Sequence, residues 1–143
     1  CLYEFEMVET LDGEIPAIDM TIGMRLPNGH GGFNEINSVK RGVCDVYYIE
    51  TENGCSLLAT PTKKIFVTKE DKKALDFLME GDEIMTSIDG QLAPSKITVK
   101  HLAKKRVVVV QIGLTPEHSF LAGSGKGRIL VSNEKDRDPI IVV

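Results

Sequence analysis

Two residues at opposite ends of the chain carry chemistry of their own. Asn133 closes the run Ile129-Leu130-Val131-Ser132-Asn133. An asparagine side-chain amide can attack its own backbone carbonyl, close a five-membered succinimide and cut the chain after itself. Cys1 supplies a thiol, and a thiolate is an effective nucleophile. It can attack the carbonyl just ahead of it and turn an amide into a thioester. Beyond Asn133 the character changes abruptly to Glu134-Lys135-Asp136-Arg137-Asp138-Pro139. The pattern reads as a self-processing domain over residues 1–133, followed by a flanking segment over 134–143.

Bringing two such ends together requires a core. A chain of 143 residues is expected to form one domain, and 42% hydrophobic with 27% charged residues is the composition of a globular protein. The formal charge of -4 argues against a nucleic-acid partner, because no phosphate-neutralising excess is present. No apolar run approaches the roughly 18 residues of a membrane span, and no signal-peptide pattern opens the chain. Cysteines at 1, 44 and 55 are an odd number without a Cys-x-x-Cys pair. They suit free thiols in a reducing, cytoplasmic setting rather than a disulfide framework. His30, His101 and His118 share no ligand spacing, so neither a metal nor a cofactor is expected. A monomer is expected.

The elements that must position the two ends read as short strands. Asp12-Gly13 turns one hairpin. Asn28–Asn34 is a glycine-rich loop, and Ile36–Lys40 and Cys44–Glu50 are strands rich in β-branched and aromatic residues. Asn53-Gly54 predicts a tight primed turn, with Cys55–Ala59 returning. Thr68–Glu80 carries a capping-box pattern (Thr68, Asp71), an apolar stripe of Ala74, Leu75 and Leu78, and Gly81 as a stop. It is the one credible helix. Asp89-Gly90 predicts a further turn, and Ile97–Lys100 and Arg106–Leu114 further strands. Lys104-Lys105-Arg106 reads as a solvated turn. Gly23-Met24-Arg25-Leu26 and Gly81-Asp82-Glu83-Ile84 share one grammar and hint at a duplication. Gly123–Gly127 resembles a phosphate loop but lacks its first glycine and its Ser/Thr. A hairpin into the terminal strand explains it better.

The order of these signals resembles the intein, or Hint, family: Cys1-Leu2, the Asp12-Gly13 turn, a Thr box after a hairpin, Gly81-Asp82, Ile112-Gly113-Leu114 with His118 and Phe120, and Val131-Ser132-Asn133. The resemblance spans 1–133. The C-terminal box is similar to that of cyanobacterial DNA-polymerase-III-type inteins, which place Ser before the terminal Asn. It implies an all-β, horseshoe-like fold with pseudo-twofold β-hairpin repeats and one or two short helices, without an inserted homing endonuclease. It also implies autocatalytic chemistry on the domain's own flanking extein segments. Cys1 would perform the N-to-S acyl shift, and Thr60 and Lys63 would occupy the Thr-x-x-His box. Gln111 would stand where an aspartate is usual, His118 would assist cyclisation, and Ser132 would align Asn133.

Three positions depart from the family pattern. Lys63 replaces a histidine; it would need burial to lower its pKa to shuttle a proton, or would act as a fixed cation at an oxyanion. Gln111 can hydrogen-bond but cannot take a proton. Glu134 stands where splicing needs Cys, Ser or Thr. These departures leave a second reading, a degenerate Hint remnant or small β-barrel acting as a binding module.

Overall fold

The computed structural model describes residues 1–133 and the strand Ile141–Val142. The expectations attached to Glu134, and to most of the 134–143 segment, fall outside the described residues. In chain order the strands are β1 (Leu2–Tyr3), β2 (Met7–Thr10), β3 (Gly13–Pro16), β4 (Arg25–Pro27), β5 (Phe33–Thr51), β6 (Cys55–Ala59) and β7 (Lys64–Phe66). They continue with β8 (Lys72–Ala74), β9 (Glu83–Ile88), β10 (Gln91–Thr115), β11 (Ser119–Ala122), β12 (Ser124–Gly125), β13 (Arg128–Ser132) and β14 (Ile141–Val142). The expected all-β architecture is what forms, and its only helices among the described residues are the single 3-10 turns Ala17–Asp19 and Leu75–Phe77.

β5 and β10 are the frame. They run antiparallel from Thr51↔Ile97 to Glu35↔Thr115, interrupted by register shifts near residues 97–99, 102–107 and 113–114. Each extra residue bends and twists the ribbon, so two strands this long curve around a core instead of extending flat. The strand segments expected on either side of 41–43 and 101–105 are therefore continuous. Lys104–Arg106 is not a turn but one of these bulges. Arg106 takes φ +51°, and its N–H is accepted by Asp45 Oδ1 at 2.9 Å. Inside the curve, Leu26, Ile36, Ile49, Leu57, Ile65, Leu75, Leu78, Ile84, Phe120 and Ile129 are fully buried.

The duplication hinted at by two glycine segments is written in the backbone. Gly23 N–H donates to Ile36 O and Ile36 N–H to Met24 O, each at 2.8 Å. Gly81 N–H donates to Ile97 O and Ile97 N–H to Asp82 O, again at 2.8 Å. Upstream, Ala17 N–H reaches Glu6 O and Ile18 N–H reaches Glu4 O; their counterparts are Leu75 to Lys63 O and Asp76 to Pro61 O. Each 3-10 turn then precedes a glycine at positive φ, +95° at Gly23 and +96° at Gly81. The two halves use the same hydrogen bonds to enter their long strands, which is a pseudo-twofold repeat.

The helix expected over Thr68–Glu80 does not form. Its capping signal is real but local: Thr68 Oγ1 accepts the Asp71 N–H at 2.9 Å, and Val67 N–H donates to Asp71 O at 2.8 Å. That closes a turn, and β8 returns antiparallel on β7. Ala74, Leu75 and Leu78 are buried as the stripe predicted, through an extended segment and one 3-10 turn. A 13-residue helix has too little intrinsic stability to resist strand pairing that satisfies the same backbone groups. The hairpin at Thr51–Gly54 forms, but only Gly54 is left-handed, at φ +88°. Asn53 contributes its side chain instead, accepting from Thr51 Oγ1 and donating to Thr86 Oγ1. Asp89-Gly90 is the true primed turn, with φ +51° and +79°.

Glu6 ties the first hairpin to the sheet. Its carboxylate is buried and accepts from Leu58 N–H (2.6 Å), Ser124 Oγ (2.8 Å) and Met7 N–H (3.0 Å). Burial pushes its pKa above the ordinary 4.5, although these hydrogen bonds and Arg128 pull the other way. A raised carboxyl pKa means the folded state takes up its proton before the unfolded state does. Stability withheld at neutral pH is therefore regained as pH falls through the raised pKa, completely once below 4.5. In urea unfolding, wild type should gain stability relative to Glu6→Gln between neutral pH and 4.5. An unchanging or reversed difference would contradict the assignment.

Candidate functional site

The Cys1 end is built by β1, which is wedged between β6 and β10 through Leu2↔Ala59, Leu2↔Val110 and Tyr3↔Val109. Cys1 is 1% exposed and packs with Val46 and Val109. Thr60, at the end of β6 and fully buried, holds it from both sides. The Cys1 nitrogen donates to Thr60 Oγ1 at 2.9 Å. The Cys1 carbonyl accepts the Thr60 N–H at 2.9 Å and the hydroxyl at 3.3 Å. Threonine suits this position because one hydroxyl can accept and donate at once.

Pro61 and Thr62 then turn the chain, closed by Lys63 N–H to Thr60 O at 3.1 Å. This turn carries Lys63 inward, where it is 3% exposed. Its Nζ lies 4.9 Å from the centroid of the Phe120 ring. A ring face attracts a cation, so this packing suits an ammonium at that place. Lys64 pairs through its backbone with Ser132 and Ala74.

The Asn133 end is built by β13. Ser132 is fully buried and paired with Ser119 on one side and Lys64 on the other. Asn133 follows, 8% exposed, with its N–H donating to His118 O at 2.9 Å and Nδ2 donating to Ile112 O at 2.5 Å. Asn133 Oδ1 is buried and has no hydrogen-bond partner among the described residues. An orphaned buried acceptor costs free energy.

Asn133 opens on a cleft of about 350 Å³ that it shares with Gln111 and His118. The His118 side chain is exposed between this cleft and a second of about 630 Å³, lined in part by His30, Phe66, Lys72 and Ser132. The β1 register joins the two ends. Tyr3 faces Val109 and Leu2 faces Val110, so the antiparallel count brings Cys1 beside Gln111, one residue before the carbonyl that holds Asn133. Consecutive strand residues are about 3.4 Å apart. Cys1, Gln111 and Asn133 thus lie along one short piece of β10, with Thr60 bonded to Cys1 and His118 sharing the Asn133 cleft; Lys63 lies against Phe120.

Several contributors carry no sequence motif. Asn37, Ser38 and Lys40 line the cleft from β5. Gly113 lets them close in, since a Cβ there would fall 2.4 Å from both Asn37 Oδ1 and Ser38 Oγ. Asn34 supports the His118 loop. Only the β5–β10 register brings these residues to the site, and nothing in their spacing announces it. Among the described residues no group of three or more His, Cys, Asp or Glu side chains could hold a metal ion. No helix among them is long and apolar enough to cross a membrane.

No protein-family model and no curated relative matches the sequence. Solved structures do match its shape. The MchDnaB-1 intein superposes with a TM-score of 0.76 at 21% identity, over 93% of this chain and 100% of that one. The TvoVMA intein gives 0.78 at 17% identity, over 93% and 97%. A bacterial intein-like domain from Clostridium thermocellum gives 0.75 at 15% identity, over 92% and 97%. At these identities the likeness establishes the fold.

Two buried threonine hydroxyls make a clean comparison. Thr60→Val removes a buried group with partners on both sides and should destabilise by about 1–3 kcal/mol. Thr62 Oγ1 is buried without a partner among the described residues, so Thr62→Val should be neutral or stabilising. Denaturant midpoints of the two variants decide; equal losses would refute the distinction.

Proposed function

We propose that this Hint-fold domain rearranges the peptide bonds at its own two ends, as a protein-splicing or self-cleaving domain acting on the extein segments that flank it. The observation that carries the reading is the convergence of Cys1 and Asn133 on adjacent residues of β10, around Gln111. Two reactive groups from opposite chain ends, both buried, have no structural need to meet there.

With a residue joined ahead of Cys1, the thiol sulfur adds to that residue's carbonyl carbon. The carbon–nitrogen bond then breaks, leaving a thioester, and the Cys1 nitrogen takes up the proton. Thr60 holds that nitrogen through Oγ1. Lys63 supplies a fixed positive charge for the tetrahedral oxyanion, the second of the two roles open to it. At the other end, Asn133 Nδ2 adds to its own backbone carbonyl. The bond to Glu134 breaks as the succinimide closes, and the departing nitrogen is protonated. Ile112 O orients Nδ2, Ser132 holds the backbone, and His118 supplies the proton or steadies the oxyanion. Gln111 sits between the two reactions as a hydrogen-bonding group without a titratable proton. Glu134 offers no hydroxyl or thiol to receive the N-terminal segment, so cleavage at the ends is the expected outcome with this flank.

Expression between two foreign proteins, with the products weighed by mass spectrometry, tests the reading. Free flanks are expected; joined flanks would mean splicing, and a persistent precursor would support the inert binding module instead. Cys1→Ala should abolish only the N-terminal break and Asn133→Ala only the C-terminal one. Lys63→Ala should slow the N-terminal step by about 100-fold. Equal slowing at both ends would overturn its assignment.

A further inference from the structure

The segment bearing His118 has little regular backbone support of its own. The β5–β10 ladder ends at Glu35↔Thr115, and β11 begins at Ser119. Pro116 has no N–H with which to continue the ladder. One side chain fills that gap. Asn34 is fully buried near the start of β5, backed by Leu26 of β4. Its Oδ1 accepts the Glu117 N–H at 2.9 Å, and its Nδ2 donates to Ser119 O at 2.8 Å. The carboxamide imitates a peptide group, making on either side of His118 the bonds that the next rung of the ladder would have made.

This bracket bears directly on Asn133. His118 O accepts the Asn133 N–H, and the His118 side chain shares the Asn133 cleft. We infer that Asn34 is a positioning residue for the C-terminal step: by holding residues 117 and 119 it fixes both the imidazole and the carbonyl that register Asn133 for cyclisation. The inference rests on the roles proposed above for His118 and Asn133. Asn34 bonds to residues 117 and 119, whereas Thr60, which follows β6, bonds to Cys1. The effect should therefore be confined to one end.

Asparagine is required for more than its size. Asn34→Asp keeps the acceptor for Glu117 N–H, but an ionised carboxylate would set an acceptor against Ser119 O. Only its protonated form can donate there. The test uses the fusion protein. Asn34→Ala should slow C-terminal cleavage by about 100-fold while thioester formation at Cys1, read by thiol-induced N-terminal cleavage, changes less than about twofold. Asn34→Asp should show the same selective loss at neutral pH. It should recover, relative to wild type at the same pH, as the introduced carboxyl is protonated. Both steps slowing together, or neither, would overturn the inference.

A second measurement separates this inference from the functional reading. In NMR, the His118 ring resonances should shift in Asn34→Ala, and the Glu117 amide should lose protection from hydrogen exchange. Unchanged His118 resonances and Glu117 protection would overturn the inference whether or not the parent chain cleaves. If the parent releases no C-terminal fragment, the splicing reading fails, while these two signals still support or refute Asn34 as the residue that holds His118.

Discussion

One short stretch of β10, Val109 to Ile112, carries the rest of the structure's logic. Its Val109 and Val110 pair with β1 and so fix Cys1; its Ile112 carbonyl fixes the Asn133 carboxamide. A strand is well suited to this task. Its residues have fixed spacing and alternate faces, so two partners docked one residue apart are held in register without a bridge between them. The constraint extends outward. β10 is held by the bulged ladder to β5, whose curvature lets β13 come back to deliver Asn133 beside the start of the chain.

The repeated backbone bonds give the same frame a second meaning. Glu6 and Lys63 occupy equivalent places, each accepting through its carbonyl from the 3-10 turn of its own half. Both side chains are ionisable and buried. The first half spends its charge on structure, with Glu6 capping Leu58, Met7 and Ser124. The second half turns its charge toward Phe120, under the strand that follows His118. One scaffold position thus anchors a hairpin in one half and packs against an aromatic ring in the other.

Buried polar groups divide along the same line. Those that brace the frame are fully bonded: Asn34, Asn53 and Thr60 each use both donor and acceptor. Asn133 Oδ1 is unpaired among the described residues and lies on the cleft-facing side chain. An unmet acceptor in a packed interior costs free energy; Thr62 Oγ1 and Ser119 Oγ are likewise unpaired among the described residues.

The sequence alone determined the all-β class, most of the turns and the duplication, and it singled out Cys1 and Asn133 as candidates, because these depend on local residue chemistry: glycine at positive φ, β-branched runs, a thiol and a carboxamide. It marked Thr60, Lys63, Gln111, His118 and Ser132 by their order along the chain. It misread Thr68–Glu80 as helix because capping and stripe signals are the same for a helix and for a turn whose apolar residues are buried by strands. It misread Lys104–Arg106 as a turn because a bulge and a turn share a polar, unpaired residue. Only the tertiary structure decided that Lys63 faces inward onto Phe120, that Asn34 brackets His118 from a distance of 83 to 85 residues, and that Cys1 and Asn133 share one piece of β10. Those facts follow from long-range strand register, which no local pattern encodes.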